Sequence, residues 1–211
     1  LFADNYAAQD IFKDITAQSL LIGETNSERI LYERNSQEKI YPASLTKLMT
    51  AILVVENCEL DEIVTVSEKA IFSVPSGYVN ANLQVGEQLT VEDLLYVMLI
   101  PSANDAAYVL AEYVAGSVED FSVMMNDKAR ELGCKTTHFV NPNGIHDDSH
   151  YSTAYDMALL GSFAIKNKTF RDICSMISFF AAGLFSSAVS IKKSSSPHKK
   201  CIGNIFSLAI N

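Results

Sequence analysis

The sequence has few basic residues and lacks the glycine-rich loops that bind nucleotide phosphates. It contains 16 Lys and Arg residues against 25 Asp and Glu residues, a formal net charge of −9. This balance argues against nucleic-acid binding, which uses a basic face. Neither a Walker loop nor a G-x-G-x-x-G motif occurs, so no standard phosphate-binding motif predicts a nucleotide site.

Paired cysteines are also missing. The four cysteines, Cys58, Cys134, Cys174 and Cys201, show neither C-x-x-C spacing nor a zinc-binding pattern. Four cysteines would permit two disulfides, but cysteines this far apart in the sequence are more often buried or unreactive free thiols. They leave the redox compartment open.

Acidic residues are absent after Asp172. The first 172 residues carry a net charge of −13, whereas the last 39 carry +4 and include nine serines. The composition therefore changes near Asp172. We predict a boundary in this part of the chain.

The pattern of apolar residues and turns predicts an α+β protein. A β-hairpin is expected near the start, with strands at 15–22 and 29–33. Ser or Thr followed three residues later by Asp marks helix starts, at Thr90, Ser102, Ser117 and Thr153. The predicted helices are 43–56, 91–100, 103–115, 118–132 and 154–166, with a short strand at 61–66 and a loop at 73–88.

The helix at 43–56 contains one charge in an apolar run. Its apolar residues cover nearly the whole circumference, so it should pass through a core. Lys47 lies three residues after Ser44, on the same helix face. A buried lysine loses proton affinity and can activate a neighbouring serine as a nucleophile. The alternatives are that Ser44 is only an N-cap and that Lys47 extends to solvent.

Ser102 and Asn104 form a second candidate group at a helix junction. Ser102 with Asp105 fits a helix cap, which needs no chemistry. However, its hydroxyl could also relay a proton to a leaving amine. The Asn104 amide offers both a donor and an acceptor, which suits binding to a peptide backbone.

Ser-x-x-Lys followed by Ser-x-Asn about 55 residues later is the penicillin-binding signature. The sequence resembles the D-alanyl-D-alanine carboxypeptidases of bacterial cell-wall metabolism, the low-molecular-weight penicillin-binding proteins of the S11 serine peptidases. The resemblance spans about 15–177. It is carried by four segments: 41–51 (Tyr-Pro-Ala-Ser-Leu-Thr-Lys-Leu-Met-Thr-Ala), 91–107, 138–144 (His-Phe-Val-Asn-Pro-Asn-Gly) and 150–156.

The resemblance implies the fold shared by penicillin-binding proteins and serine β-lactamases, a helical region packed on an antiparallel sheet. It implies an extracytoplasmic enzyme of the bacterial cell envelope whose substrate is a peptidoglycan stem peptide ending in D-Ala-D-Ala. No cofactor and no metal are implied, so His146 and His150 are expected to be structural or solvated.

Roles follow from the matched positions. Ser44 would be the nucleophile, Lys47 the general base and Ser102 the proton relay, while Asn104 would bind the substrate's peptide group. β-Lactam antibiotics would acylate Ser44. Ala103 stands where β-lactamases more often have aspartate, which favours the carboxypeptidase side of the superfamily.

The third motif of the family, Lys-Thr-Gly, does not occur after residue 157. We therefore expect a partial catalytic domain at 1–177 and a divergent tail at 178–211, produced by truncation or a shifted reading frame. The sheet would be incomplete, with open edges at the hairpin. Little or no turnover is expected, since one lost oxyanion-hole donor costs about 10²–10³ in rate.

Alternatives therefore remain for function and for the tail. The chain could be an active carboxypeptidase, a catalytically impaired relative that at most binds muropeptide or β-lactam, or a β-lactamase. Residues 173–191 carry no charge and precede two lysine pairs, so membrane association through this stretch is a further possibility.

Overall fold

The computed structural model describes residues 15–25, 29–180 and 205–210. Its strands are β1 Ser19–Glu24, β2 Arg29–Arg34, β3 Ile63–Thr65, β4 Gln88–Thr90 and β5 Ile205–Ile210. Its helices are α1 Lys47–Asn57, α2 Glu68–Phe72, α3 Val91–Leu99, α4 Asn104–Ala115, α5 Val118–Glu131, α6 Ala154–Ala164 and α7 Lys168–Phe180. A 3-10 turn, Ala43–Thr46, leads directly into α1. The predicted α+β class is confirmed.

The larger sheet has the strand order β2-β1-β5, and both pairings are antiparallel. The first four residues of β1 are all buried, which shows that both faces of this part of the strand are covered, because successive side chains point to opposite faces. The helix α6 packs on β1 and β5. The prediction that the hairpin keeps open edges and an uncovered face is therefore wrong for β1. The strand β5, Ile205–Ile210, pairs with β1 along its whole length, and α6 packs on both strands.

The core of the molecule is helical, with α1 at its centre. This helix packs against α3, α4, α5, α6 and α7. Met49 and the run 51–54 are buried in it. The prediction that this helix passes through a core is confirmed.

Three of the four predicted helix caps form. The hydroxyls of Thr90, Ser117 and Thr153 each accept a hydrogen bond from the backbone N–H three residues later. Ser67 caps the short helix α2 in the same way. The sequence pattern did not predict α2, nor α7 as a separate helix.

The loop 73–87 is attached to the start of α4. Asp105 accepts hydrogen bonds from the backbone N–H groups of Ala81 and Leu83 through its two carboxylate oxygens. This carboxylate therefore stabilises the loop rather than a capping box with Ser102.

The three cysteines in the described part of the chain, Cys58, Cys134 and Cys174, are free thiols. None of the helices described is both long enough and apolar enough to cross a membrane. Most of the candidate membrane segment 173–191 lies outside the described residues, as does Cys201.

Candidate active site

Lys47 lies at the centre of the candidate site. Its side chain is 2% exposed, so the alternative in which it extends to solvent is wrong. Its Nζ lies 2.9 Å from Asn104 Oδ1, 3.1 Å from the carbonyl oxygen of Asn143 and 3.4 Å from Ser44 Oγ. The nearest atoms are thus oxygens, and none of the three groups carries a charge.

Burial sets the protonation of this lysine. Desolvation lowers the pKa of Lys47 from 10.5 to about 8, because neutral oxygens replace water only in part around the ammonium. At pH 7 roughly a tenth of such lysines are neutral, against about three in ten thousand at the ordinary pKa. The site therefore supplies a neutral amine near neutral pH.

Ser44 lies above Lys47 in the 3-10 turn and is exposed to solvent. Its hydroxyl caps no helix, because neither this turn nor α1 has a side-chain cap. The N-cap alternative is therefore wrong. The preceding residue, Ala43, has a φ of 47°, a left-handed conformation that costs of order 1–3 kcal/mol in a non-glycine residue.

Ser102 also has a left-handed backbone, with a φ of 63°. The N-cap position of α4 is Ala103, not Ser102. The predicted Ser102–Asp105 cap is therefore wrong. Within the described part of the chain the Ser102 hydroxyl makes no hydrogen bond, to Lys47, Ser44 or any other group, so it remains available to a ligand.

Both ends of the Asn104 amide are occupied. Its Oδ1 accepts from Lys47, and its Nδ2 donates to the carbonyl oxygen of Val79 at 2.8 Å. The Asn104 backbone N–H donates to the same carbonyl at 2.9 Å. Asn104 therefore connects the lysine to the loop 73–87, a contact that the sequence did not predict.

The turn 141–144 contributes to the site through backbone oxygens. The Asn143 carbonyl accepts from Lys47, and the Pro142 carbonyl accepts from Thr50 Oγ1 at 2.6 Å. Gly144 has a φ of 84°, and a Cβ placed on it would lie 1.7 Å from the Ala43 carbonyl oxygen. Only glycine lets this turn approach the nucleophile so closely.

The place of the 141–144 turn at the site was not predicted from the sequence. The only signal was the Asn-Pro-Asn-Gly string within the segments that resemble the family. A contact made by a backbone carbonyl leaves no requirement for a particular side chain.

His150 is buried and joins the same cluster. Its Nε2 lies 2.8 Å from Thr46 Oγ1, and its Nδ1 accepts from the Val140 N–H at 3.1 Å. Burial lowers the pKa of His150 to about 4, with Asp147 acting in the opposite direction. By contrast, His146 is exposed and lies 3.5 Å from Asp148. Among the described residues, no three His, Cys, Asp or Glu side chains are grouped to hold a metal ion.

The lysine's contacts suit a proton acceptor for Ser44. A neutral amine has two N–H donors and one lone pair. The two carbonyl-type acceptors, Asn104 Oδ1 and the Asn143 oxygen, engage both N–H groups. The lone pair is then left for the Ser44 hydroxyl, which is the arrangement that activates a serine nucleophile.

Comparisons with known proteins agree with this geometry. The model of the peptidase S11 family, described as D-alanyl-D-alanine carboxypeptidase, matches residues 4–177. The D-alanyl-D-alanine carboxypeptidase DacF of Bacillus subtilis is 39% identical over 153 residues, covering 71% of this chain and 39% of that protein. Such curated relatives are matched over about 40% of their own length.

Solved structures show the same likeness. Penicillin binding protein 5 of Haemophilus influenzae superimposes with a TM-score of 0.79 at 26% identity, covering 93% of this chain and 65% of that one. A single-substitution mutant of the Streptomyces K15 DD-transpeptidase gives a TM-score of 0.75 at 27% identity, covering 92% and 89% of the two chains. The fold of penicillin-binding proteins expected from the sequence is therefore confirmed.

Proposed function

The chain belongs to the peptidase S11 family of D-alanyl-D-alanine carboxypeptidases, and on that premise we propose that it carries out serine-type D-Ala-D-Ala carboxypeptidase chemistry at Ser44. The substrate is a peptidoglycan stem peptide ending in D-Ala-D-Ala, and β-lactams acylate the same serine. The proposed location is extracytoplasmic, in the bacterial cell envelope.

The proposed reaction has two stages. Ser44 Oγ attacks the carbonyl carbon of the penultimate D-alanine while Lys47 Nζ takes the hydroxyl proton. The tetrahedral intermediate collapses, the peptide C–N bond breaks, and the departing D-alanine amine receives a proton through Ser102. Water then hydrolyses the ester on Ser44, which restores the hydroxyl.

The observation that carries the proposal is the environment of Lys47. It is buried, its pKa is lowered, and its two nearest partners are acceptors that direct the lone pair toward Ser44. An exposed serine above such an amine supports nucleophilic catalysis better than a structural role, because burying an unpaired lysine is otherwise costly.

A second candidate is a catalytically impaired relative that at most binds muropeptide or β-lactam, which is favoured if the Lys-Thr-Gly motif, not found in residues 157–211, is missing from the working protein. In the family this motif's lysine receives the terminal carboxylate of the substrate. Such a relative would show weak labelling by a fluorescent penicillin and little release of D-alanine, since one lost oxyanion-hole donor costs about 10²–10³ in rate.

The two candidates are separated by D-alanine release from a Lys-D-Ala-D-Ala peptide and by labelling with a fluorescent penicillin. The wild-type chain is compared with Ser44→Ala and with Ser149→Ala, which removes an exposed hydroxyl with no hydrogen-bond partner among the described residues. The proposed carboxypeptidase should show labelling and D-alanine release that are both lost in Ser44→Ala and kept in Ser149→Ala, whereas weak labelling with little release would indicate the impaired relative. Labelling that survives Ser44→Ala would refute the nucleophile, and robust Ser44-dependent turnover would refute the impairment. Rapid nitrocefin hydrolysis would indicate a β-lactamase instead.

A further inference from the structure

The 140–150 segment is joined to the nucleophile's turn by a buried histidine. His150 accepts from the Val140 N–H at Nδ1, so the proton of the neutral ring is on Nε2. That Nε2–H therefore donates to Thr46 Oγ1, 2.8 Å away. Both His150 and Thr46 are buried, at 2% and 0% exposed. These two bonds specify one tautomer and one ring orientation.

We propose that His150 is a positioning residue for Lys47, acting through its hydrogen bond to Thr46 and through the hydrogen bond that it accepts from Val140, which precedes the 141–144 turn. The inference rests on the proposed function, since Lys47 is the base of that reaction. His150 itself touches neither Ser44 nor Lys47 by any hydrogen bond in the described part of the chain.

The contacts form a closed ring. Thr46 precedes Lys47 on one side, and Val140 precedes the turn that carries Asn143 on the other. The Asn143 carbonyl returns to Lys47 Nζ and completes the ring. A shift of the turn away from Thr46 therefore removes an acceptor from the lysine and admits water to it.

A backbone bridge also connects the chain before Ser44 to the chain just after His150. Ile40 and Ser152 exchange two backbone hydrogen bonds, which fixes the chain four residues before Ser44. That bridge does not specify the position of Thr46. The Gly144 backbone packs against Ala43 without a directional bond. Thr50 also holds the 141–144 turn, by donating to the Pro142 carbonyl from one turn further along α1. The His150–Thr46 bond is the polar side-chain contact that reaches the 3-10 turn itself, at the residue before Lys47.

The neutral ring is essential to this arrangement. A protonated His150 would carry hydrogens on both nitrogens, and its Nδ1–H would face the Val140 N–H. The low pKa of His150 agrees with a ring that stays neutral at neutral pH.

The test uses substitutions chosen to change as few atoms as possible. Thr46→Val removes the hydroxyl at nearly constant shape, and Thr46→Ser keeps it. His150→Asn keeps an acceptor for Val140 but is too short to reach Thr46. The quantity measured is the pKa of Lys47. It is obtained by NMR titration of isotope-labelled lysine in the full chain.

We expect Thr46→Val and His150→Asn each to raise the Lys47 pKa by about one unit, toward its ordinary value, and Thr46→Ser to leave it within a few tenths. The double variant should show no further rise, because both changes break the same bond. A one-unit rise corresponds to about tenfold less neutral amine at pH 7.

Ser117→Ala is the control for a general loss of stability. It removes a helix cap far along the chain and should leave the Lys47 pKa unchanged. Unchanged Lys47 pKa values in Thr46→Val and His150→Asn, or shifts that simply add in the double variant, overturn the inference. The titration requires no acylation. A wild-type chain that fails to react with penicillin therefore counts against the proposed function and not against this inference.

Discussion

The buried lysine should make the stability of this protein depend on pH in a way that one substitution removes. The folded pKa of Lys47 is about 8 and its unfolded value is 10.5. Between these values the unfolded chain binds more protons, so the free energy of unfolding rises with pH. Well below pH 8 the lysine is protonated in both states, so the free energy of unfolding no longer changes with pH through this group and the full cost of burying the charged lysine remains.

The size of the effect follows from the two values. Between pH 7 and pH 9.5 the linkage relation gives a gain of about 2 kcal/mol for the wild-type chain. In Lys47→Met this gain disappears. The difference in unfolding free energy between the two proteins should therefore move by about 2 kcal/mol toward the wild type over that interval.

Urea denaturation at several pH values measures this difference. Subtracting the variant cancels the titration of other groups. The loss of the lysine's packing and contacts remains as an offset, so the change of the difference with pH is the quantity that reports the lysine's titration. Lys135→Met serves as the control, since Lys135 is exposed and its removal should leave the profile parallel to the wild type. A Lys47→Met difference that stays constant within about 0.5 kcal/mol across the interval would refute a desolvated lysine.

Three further changes test the surroundings of the lysine. Asn104→Asp places a carboxylate within hydrogen-bonding distance of Lys47, so the lysine pKa should rise by about 1–3 units and penicillin labelling should shift to higher pH; lysine titration by NMR checks this. Gly144→Ala should lower the unfolding free energy in urea by about 1–3 kcal/mol more than Gly77→Ala, because both glycines have left-handed backbones but only Gly144 lacks room for a Cβ. Equal losses at the two glycines would contradict the close approach. Ser117→Ala should cost about 1 kcal/mol in the same assay without changing the labelling rate per folded molecule, since the cap is remote from Ser44.

Local signals in the sequence predicted the helices well. Hydroxyl caps act over three residues, so Thr90, Ser117 and Thr153 could be recognised from spacing alone. The Ser44–Lys47 pair was also predictable, because an i, i+3 spacing and a single charge in an apolar helix are visible without any tertiary information.

The same kind of pattern was wrong at Ser102. Spacing predicted a cap, but Asp105 instead binds the backbone of the loop 73–87, and the chain at Ser102 takes a left-handed conformation. The competing partner lies more than 20 residues away in sequence. A rule based on a spacing of three residues contains no information about so distant a partner.

Tertiary contacts account for the rest of what was missed. His150 reaches Thr46 across 104 residues of sequence, and Asn143 supplies a backbone oxygen. The pairing of β5 with β1 likewise depends on the backbone N–H and C=O groups at the free edge of β1. It does not depend on the composition of residues 178–211. Neither a carbonyl's direction nor a strand's partner is specified by residue type.

The long sequence separations around Lys47 have a consequence for folding. Its two closest oxygen partners lie 57 and 96 residues further along the chain. In the unfolded chain the Ser-x-x-Lys segment is already present, but its lysine is hydrated and has an ordinary proton affinity. Ser44 is therefore not activated until α4 and the 141–144 turn pack onto α1. Contacts between segments so distant in sequence form slowly during folding. Reactivity at Ser44 during refolding would consequently mark the moment at which these distant segments meet.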